Sequence, residues 1–140
     1  MTDEAKQLAC EGVRFRYRRD DDAMRFDCSF PSGRITALVG PSGSGKSTLI
    51  NLIAGFEIPE AGAIRFEGRD ISGIAVSERP VSMVFQENNL FSHMRVFDNV
   101  ALGISPSLRL DTGERERVEE ALAAVGLAGY GARPPGELSG

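Results

Sequence analysis

The stretch GPSGSGKST, residues 40–48, decides the fold of this 140-residue chain. It matches the pattern G-x-x-x-x-G-K-[ST], in which backbone amides close around a phosphate group in front of a helix. Gly43 and Gly45 can adopt the positive φ angles that such a loop needs. Lys46 can reach the β- and γ-phosphates, and the Ser47 hydroxyl can bind Mg²⁺. We therefore predict a nucleoside triphosphate site made by Gly40, Pro41, Ser42, Gly43, Ser44, Gly45, Lys46, Ser47 and Thr48.

The residues on both sides of the loop have the pattern that this motif requires. Before it, RITALVG (residues 34–40) is almost continuously apolar, which is typical of a strand buried on both faces of a sheet. After it, STLINLIAG (residues 47–55) predicts a short helix that ends at Gly55. A glycine-rich turn that matched by chance would lack this context. A strand, a phosphate loop and a helix in this order predict an α/β fold of the P-loop NTPase class.

Two alternating runs nearer the N-terminus predict an antiparallel β-hairpin. Apolar and polar residues alternate from Val13 to Tyr17 and again from Met24 to Phe30. The polar sequence RRDDD (residues 18–22) between the runs is typical of an exposed turn. AIRFEG (residues 63–68) and VSMVFQ (residues 81–86) are two further strand candidates.

Helical patterns replace strand patterns beyond about residue 88. Val96, Phe97 and Val100 fit one helical face. Asp111 followed by Glu114 is a typical helix start. The apolar residues that follow at helical spacing are Val118, Ala121, Leu122 and Val125. We predict a single domain over residues 1–140, with a nucleotide-binding core at 1–87 and a helical subdomain at 88–140.

Composition excludes several other classes of protein. The net charge of −4 argues against a general nucleic-acid binder. Cys10 and Cys28 form no metal-type cluster, and reduced thiols suit a cytosolic protein. His93 is the only histidine, which excludes a multi-histidine metal site. The sequence has no apolar run of the roughly 20 residues that a membrane span needs, so we expect no transmembrane segment of its own.

The order of the motifs resembles that of the ATP-binding-cassette (ABC) ATPases, the motor subunits of ABC transporters. An aromatic residue, Tyr17, precedes the phosphate loop, Gln86 ends a predicted strand, and GELSG (residues 136–140) follows the helical segment. The stretches RPVSMVFQENNLFSH (residues 79–93) and AMRF (residues 23–26) resemble the bacterial thiamine-importer branch of that family. The resemblance extends over nearly the whole chain.

The resemblance implies roles for particular residues. Tyr17 would stack on the adenine of ATP, with a core aromatic of the hairpin as the alternative because Phe15 shares its face. Gln86 would contact Mg²⁺ or the attacking water, with a polar residue at a strand end as the alternative. Gln86 and Lys46 would be the catalytic residues of this chain. Leu138, Ser139 and Gly140 would begin the signature motif, which contacts ATP bound to the opposite subunit.

The resemblance also implies partners and a location. Two ATP-binding subunits would form a head-to-tail dimer on membrane permease subunits, and a periplasmic binding protein would deliver the solute. The subunit would couple ATP binding and hydrolysis to import of a small solute, thiamine in this branch. It would lie on the cytoplasmic face of the inner membrane and bind no nucleic acid.

Two family features have no match in the sequence. A Walker B strand ending in Asp-Glu is not found, because Glu67 and Glu87 both stand in unsuitable surroundings. The switch histidine that the family has after the signature is also missing, because His93 precedes the signature. We therefore expect a C-terminally truncated family member that binds ATP and Mg²⁺ without efficient hydrolysis. One alternative is a non-catalytic nucleotide-binding fragment. Another is a small-molecule P-loop kinase, in which Arg115 and Arg117 would act as lid arginines, although both fall on the polar face of the predicted amphipathic helix.

Overall fold

The computed structural model describes residues 8–86 and 89–138. The chain forms two compact units, Met1–Val84 and Phe85–Gly140. Within its described residues the first unit contains four strands and one α-helix, with a short 3-10 helix at Val76–Glu78: β1 (Leu8–Phe15), β2 (Met24–Phe30), α1 (Lys46–Ala54), β3 (Ala61–Phe66) and β4 (Arg69–Asp70). Across the described residues, no helix is both long and apolar enough to cross a membrane.

The four strands form one antiparallel sheet in the order β2-β1-β3-β4. The predicted hairpin is confirmed, since Phe15 pairs with Met24 and Cys10 pairs with Cys28 across β1 and β2. The strand predicted at 63–68 is confirmed as β3. Glu67 and Gly68, both with positive φ, form the two-residue turn into β4.

A β-bulge in β1 depends on two glycines. The pairing register shifts between Cys10 and Val13, where Gly12 has a φ of 57°. On the neighbouring strand Gly62 has a φ of 84°, and a Cβ placed there would lie 2.4 Å from the carbonyl carbon of Gly12. The two backbones can approach this closely only because Gly62 has no side chain, whereas a Cβ on Gly12 would meet open space and Gly12 is favoured there by its positive φ.

The core of the first unit lies between this sheet and α1. It consists of Cys10, Val13, Phe15, Leu49, Leu52, Ile64 and Ile71. Each fully buried Val, Leu or Ile contributes about 1.5–3 kcal/mol relative to exposure in water. The predicted helix and its Gly55 cap are confirmed, because α1 ends at Ala54 and Gly55 has a φ of 92°. Packing against the sheet fixes α1 and therefore fixes the loop in front of it.

Two strand predictions are wrong. Residues 34–40 and 81–86 form no strand in the structure. Ile35 is fully exposed, and Val39 and Val84 are 91% and 95% exposed. A strand is stable only when neighbouring strands pair with its backbone and cover its side chains, and no ladder among the described residues includes either segment. The apolar sequence alone does not supply those partners.

The second unit is helical, with α2 (Val96–Ala101) and α3 (Thr112–Ala124). The predicted start of α3 is confirmed as a capping box: the Glu114 amide donates to Asp111 Oδ1 at 2.8 Å, and the Asp111 amide donates to Glu114 Oε2 at 2.9 Å. The buried core of this unit is Val96, Ala101, Val118 and Leu122. Ala121 and Val125 are exposed, so the apolar stripe on α3 is narrower than its spacing predicts.

Candidate functional site

The glycine-rich loop leads directly into the first turn of α1. The Ser44 amide donates to the Pro41 carbonyl at 3.3 Å, which closes a tight turn around Gly43, whose φ is 80°. Gly45 is the N-cap of α1, and no side chain caps the helix. The first amides of a helix have no partner within it, and the N-terminus carries a partial positive charge. The loop and the helix start therefore present donors suited to a phosphate chain.

Gly45 is required for two separate reasons. Its φ of 88° lies in the left-handed region, which residues with a side chain rarely adopt. In addition, a Cβ at this position would lie 3.3 Å from Phe26 Cζ and 3.4 Å from Met24 Sδ. Strand β2 thus packs directly beneath the phosphate loop and fixes its position.

Lys46 folds back over the loop that it follows. Its Nζ donates to the carbonyl oxygens of Gly40 at 2.9 Å and Pro41 at 2.7 Å, and it lies 3.2 Å from Ser44 Oγ. The Lys46 side chain is half-buried and lies outside the hydrophobic core, so these bonds can be exchanged for bonds to phosphate oxygens without disturbing that core. The ammonium group already lies within the loop that would surround the phosphates.

Tyr17 lies next to this loop, although strand β1 ends at Phe15. Its hydroxyl oxygen is 3.0 Å from Thr48 Oγ1 in the first turn of α1. Its ring packs edge-on against Phe15, with ring centroids 4.8 Å apart and an interplanar angle of 87°. Because Tyr17 is 55% exposed, the alternative interpretation as a core aromatic is wrong.

These groups line one open cleft of about 640 Å³. Its lining residues are Tyr17, Met24, Ser42, Gly43, Gly45, Lys46, Ser47 and Thr48. Six of the nine residues predicted at 40–48 are therefore among the lining residues, together with the predicted aromatic. A volume of several hundred Å³ with a cation, hydroxyl groups, open amides and one aromatic face suits a ligand that joins a phosphate chain to a flat ring.

Sequence comparison places the chain in a known family. A family model described as ABC transporter matches residues 23–140. The chain belongs to the ABC transporter family.

Individual members of this family are closely similar to the chain. Thiamine import ATP-binding protein ThiQ of Rhizobium meliloti (strain 1021) is 54% identical over 133 residues, which cover 95% of this chain and 55% of that protein. The protein of the same name from Mesorhizobium japonicum is 56% identical over 140 residues, covering 100% of this chain and 54% of that protein. The chain thus spans about half the length of the curated relatives it matches.

A solved structure matches the fold. MJ1267, described as an ATP-binding cassette of an ABC transporter, gives a TM-score of 0.82 at 25% sequence identity. The match covers 96% of this chain and 60% of MJ1267. The α/β P-loop fold that the sequence predicts is therefore confirmed.

Two other residues predicted from the ABC resemblance lie in the unit Phe85–Gly140. Gln86 is exposed and belongs to no strand, so its contact with Mg²⁺ or water stays a prediction. Leu138 follows a 3-10 turn at Pro135–Glu137 and packs on the helical core. Ser139 and Gly140, the next residues of the predicted signature motif, lie outside the described residues, as does Glu87.

Sequence reasoning missed Arg79, which holds the far end of α1. This side chain is only 6% exposed. Its Nη1 donates to the carbonyl oxygens of Leu52 at 2.7 Å and Ile53 at 2.8 Å, and its other nitrogens donate to Ser72 and Ile74. Burial lowers the pKa of the guanidinium from its ordinary value, and the charge of Asp70 partly offsets this. Nothing in the polar sequence SERP (residues 77–80) predicts that its arginine is buried.

Cys10 is a buried thiol, and Cys28 is a half-buried one. Cys10 and Cys28 lie opposite each other on β1 and β2, and both are free. Burial raises the pKa of Cys10 to about 12, and burial also raises the pKa of Cys28. Both thiols are therefore protonated at neutral pH. Within residues 8–86 and 89–138, no group of three or more His, Cys, Asp or Glu residues could hold a metal ion.

Proposed function

We propose that this chain is the nucleotide-binding part of an ATP-binding subunit of an ABC importer, and that the subunit couples ATP binding and hydrolysis to thiamine import. The observation that carries the proposal is the cleft at the start of α1, where Tyr17 stands beside a complete phosphate loop. The proposal is supported by relatives 54–56% identical to this chain whose names specify thiamine import and ATP binding.

In this proposal ATP lies along the cleft with its phosphates against the loop. Lys46 exchanges its bonds to the Gly40 and Pro41 carbonyls for bonds to the β- and γ-phosphates. The open amides at the N-terminus of α1 donate to the same oxygens. The exposed face of Tyr17 stacks on the adenine, since every base offers a flat π face to an aromatic ring.

Magnesium fits the same cleft through hydroxyl chemistry. Ser47 is exposed at the cleft, and hydroxyl and phosphate oxygens are the hard ligands that Mg²⁺ prefers. We assign Ser47 to Mg²⁺, and the contact of Gln86 with Mg²⁺ stays a prediction from the family resemblance. We expect Mg²⁺ to strengthen ATP binding by the wild-type chain, and we expect Ser47→Ala to remove most of that gain. Titrations with and without a chelator measure this directly, and Ser29→Ala on β2 is the matched serine control.

Hydrolysis is assigned to the whole subunit and not to residues 1–140 alone. The eight residues that line the cleft bind phosphate and base, and no carboxylate that could activate water is among these described side chains. We expect this chain to bind ATP without efficient turnover. Binding measured by calorimetry and phosphate release measured separately distinguish binding from turnover. Rapid phosphate release by the chain, abolished by Lys46→Ala, would contradict this part of the proposal.

The partners follow from the importer assignment. Two subunits would associate head to tail, and Leu138, Ser139 and Gly140 would contact the ATP bound to the opposite subunit. The dimer would act on permease subunits from the cytoplasmic face of the membrane, and a periplasmic binding protein would supply the solute.

A chimaera tests the importer assignment. Residues 1–140 are joined to the C-terminal half of the Rhizobium meliloti relative, and the product is expressed in a strain that lacks that relative. We expect uptake of labelled thiamine to return with the chimaera and with its Arg34→Ala control, but not with its Lys46→Ala variant. A chimaera that binds ATP and restores no thiamine uptake would refute the substrate assignment and leave the nucleotide site intact.

A further inference from the structure

We propose that Thr48 is a positioning residue for the aromatic ring of Tyr17, and through it for the nucleobase. The inference rests on the proposed function, because it concerns how the same cleft holds ATP. It starts from one contact, the 3.0 Å separation of the Tyr17 hydroxyl oxygen and Thr48 Oγ1. The two residues are 31 positions apart in the sequence and belong to different elements.

The two partners differ in how firmly the fold holds them. Thr48 is 6% exposed and lies in the first turn of α1, where the helix and the core fix its position. Tyr17 is 55% exposed and lies beyond the end of β1, so its backbone alone does not determine its rotamer. The hydrogen bond to the fixed Thr48 therefore determines where the Tyr17 hydroxyl lies, and with it the ring.

A second contact limits the remaining freedom of the ring. Phe15, which is 5% exposed, packs edge-on against Tyr17 at a centroid distance of 4.8 Å. Phe15 packs against the ring, and Thr48 holds the hydroxyl at its tip. With both contacts in place, the ring is still 55% exposed and lines the cleft, where a base could stack on it.

This arrangement links recognition of the base to recognition of the phosphates. Thr48 is only two residues from Lys46, so the tyrosine is attached to the same helical turn that holds the phosphate chain. The distance between the Tyr17 ring and the phosphate loop then depends on this hydrogen bond. The bond should favour ligands in which a base and a triphosphate are separated by one ribose.

A direct contact between the Thr48 hydroxyl and phosphate is the competing role for this residue. The two roles differ in what they do to a ligand without a base. A phosphate contact affects inorganic tripolyphosphate and ATP by the same factor. A positioning role affects ATP more strongly, and lowers the ratio of ATP affinity to tripolyphosphate affinity.

The experiment measures both affinities by calorimetry for the chain Met1–Gly140. The variants are Thr48→Val, which has the same shape without the hydroxyl, Thr48→Ser, which keeps the hydroxyl, and Tyr17→Phe. Losing one net hydrogen bond corresponds to a change of roughly 2- to 10-fold. We expect Thr48→Val and Tyr17→Phe each to lower the ratio of ATP affinity to tripolyphosphate affinity by such a factor. The Thr48→Ser variant should keep most of the wild-type ratio. The double variant Tyr17→Phe/Thr48→Val should lower the ratio no further than either single change.

Each other result overturns the proposal. If Thr48→Val leaves the affinity ratio unchanged, the Thr48 hydroxyl contacts phosphate and does not position the ring. If the double variant lowers the ratio by the product of the two single factors, the two residues act independently. Tyr17→Phe changes an exposed side chain and keeps the ring, so an unchanged ratio in that variant overturns the proposal even if Thr48→Val fails to fold. Wild-type chain that binds tripolyphosphate but not ATP refutes the proposed function itself, whatever the variants do.

Discussion

The Arg79 guanidinium donates a 2.7 Å hydrogen bond to the carbonyl oxygen of Leu52, in the last turn of the helix that begins at the phosphate loop. The last carbonyls of a helix have no partner within it, and they carry a partial negative charge. A buried cation at this position donates hydrogen bonds to these carbonyls and also balances their negative charge. Gly55 makes room for it, since a Cβ there would lie 2.6 Å from Arg79 Nε. The stability of α1 therefore depends on a residue far from the cleft.

Replacing Arg79 by Ala is expected to destabilise the first unit strongly. The change removes four hydrogen bonds that a charged donor makes to buried or half-buried carbonyl oxygens, and the Leu52 oxygen keeps its 3.3 Å bond from the Gly55 amide. We expect the free energy of unfolding to fall by about 2–3 kcal/mol, and Arg79→Lys to recover only part of it. Urea denaturation measures the change. Arg34→Ala, at an exposed arginine, is the control and should alter stability by less than about 0.5 kcal/mol.

Replacing Gly45 by Ala should impair both the fold and the site. A residue with a side chain is strained at a φ of 88°, and its Cβ would press against Phe26. We expect a loss of about 1–2 kcal/mol in stability. ATP affinity should also fall, because relief of the strain moves the loop amides. Gly73→Ala is the matched control, since Gly73 has open space around it and no positive φ. Equal effects from the two changes would contradict the role assigned to Gly45.

The raised pKa of Cys10 predicts a loss of stability in alkaline solution. The unfolded thiol ionises near its ordinary value of 9.0, whereas burial holds the folded pKa at about 12. The folded chain therefore keeps a proton that the unfolded chain releases, so the contribution is complete below pH 9 and is lost as the pH rises towards 12. Between pH 8 and 10.5 we expect up to about 2 kcal/mol from this residue.

Urea denaturation at both pH values, on wild-type chain and Cys10→Ala, isolates this contribution. Other groups titrate in the same range, so the informative quantity is the difference between the two pH dependences. The variant should lose less stability than the wild type on going from pH 8 to 10.5. Parallel pH profiles would show that Cys10 does not titrate differently on folding.

Local sequence rules predicted the parts of the molecule that depend on neighbouring residues. The phosphate loop, the Gly55 cap and the Asp111–Glu114 capping box all follow from residue types at short spacing. The β1–β2 hairpin follows from alternation on both sides of a polar turn. The loop, the cap and the capping box could be predicted because their contacts lie within a few residues along the chain, and the hairpin because its two strands follow each other directly in the sequence.

Long-range features could not be predicted in this way. Residues 34–40 have the composition of a buried strand, but strand formation depends on partners that their own sequence does not encode. Arg79 contacts Leu52, 27 residues away, and Tyr17 contacts Thr48, 31 residues away. No spacing rule connects such pairs. Only the packing of α1 on the sheet brings them together.

The affinity of the chain for ATP, measured by calorimetry on wild-type chain and the Lys46→Ala variant, tests the central claim most directly. Lys46 is half-buried and lies outside the hydrophobic core, so its replacement by Ala should leave the fold unchanged. Loss of its charge-assisted bonds should weaken ATP binding by about 100-fold or more, to below detection, while Arg34→Ala binds like wild type. Equal ATP affinity in wild-type chain and the Lys46→Ala variant would contradict the assignment of residues 40–48 as the nucleotide site.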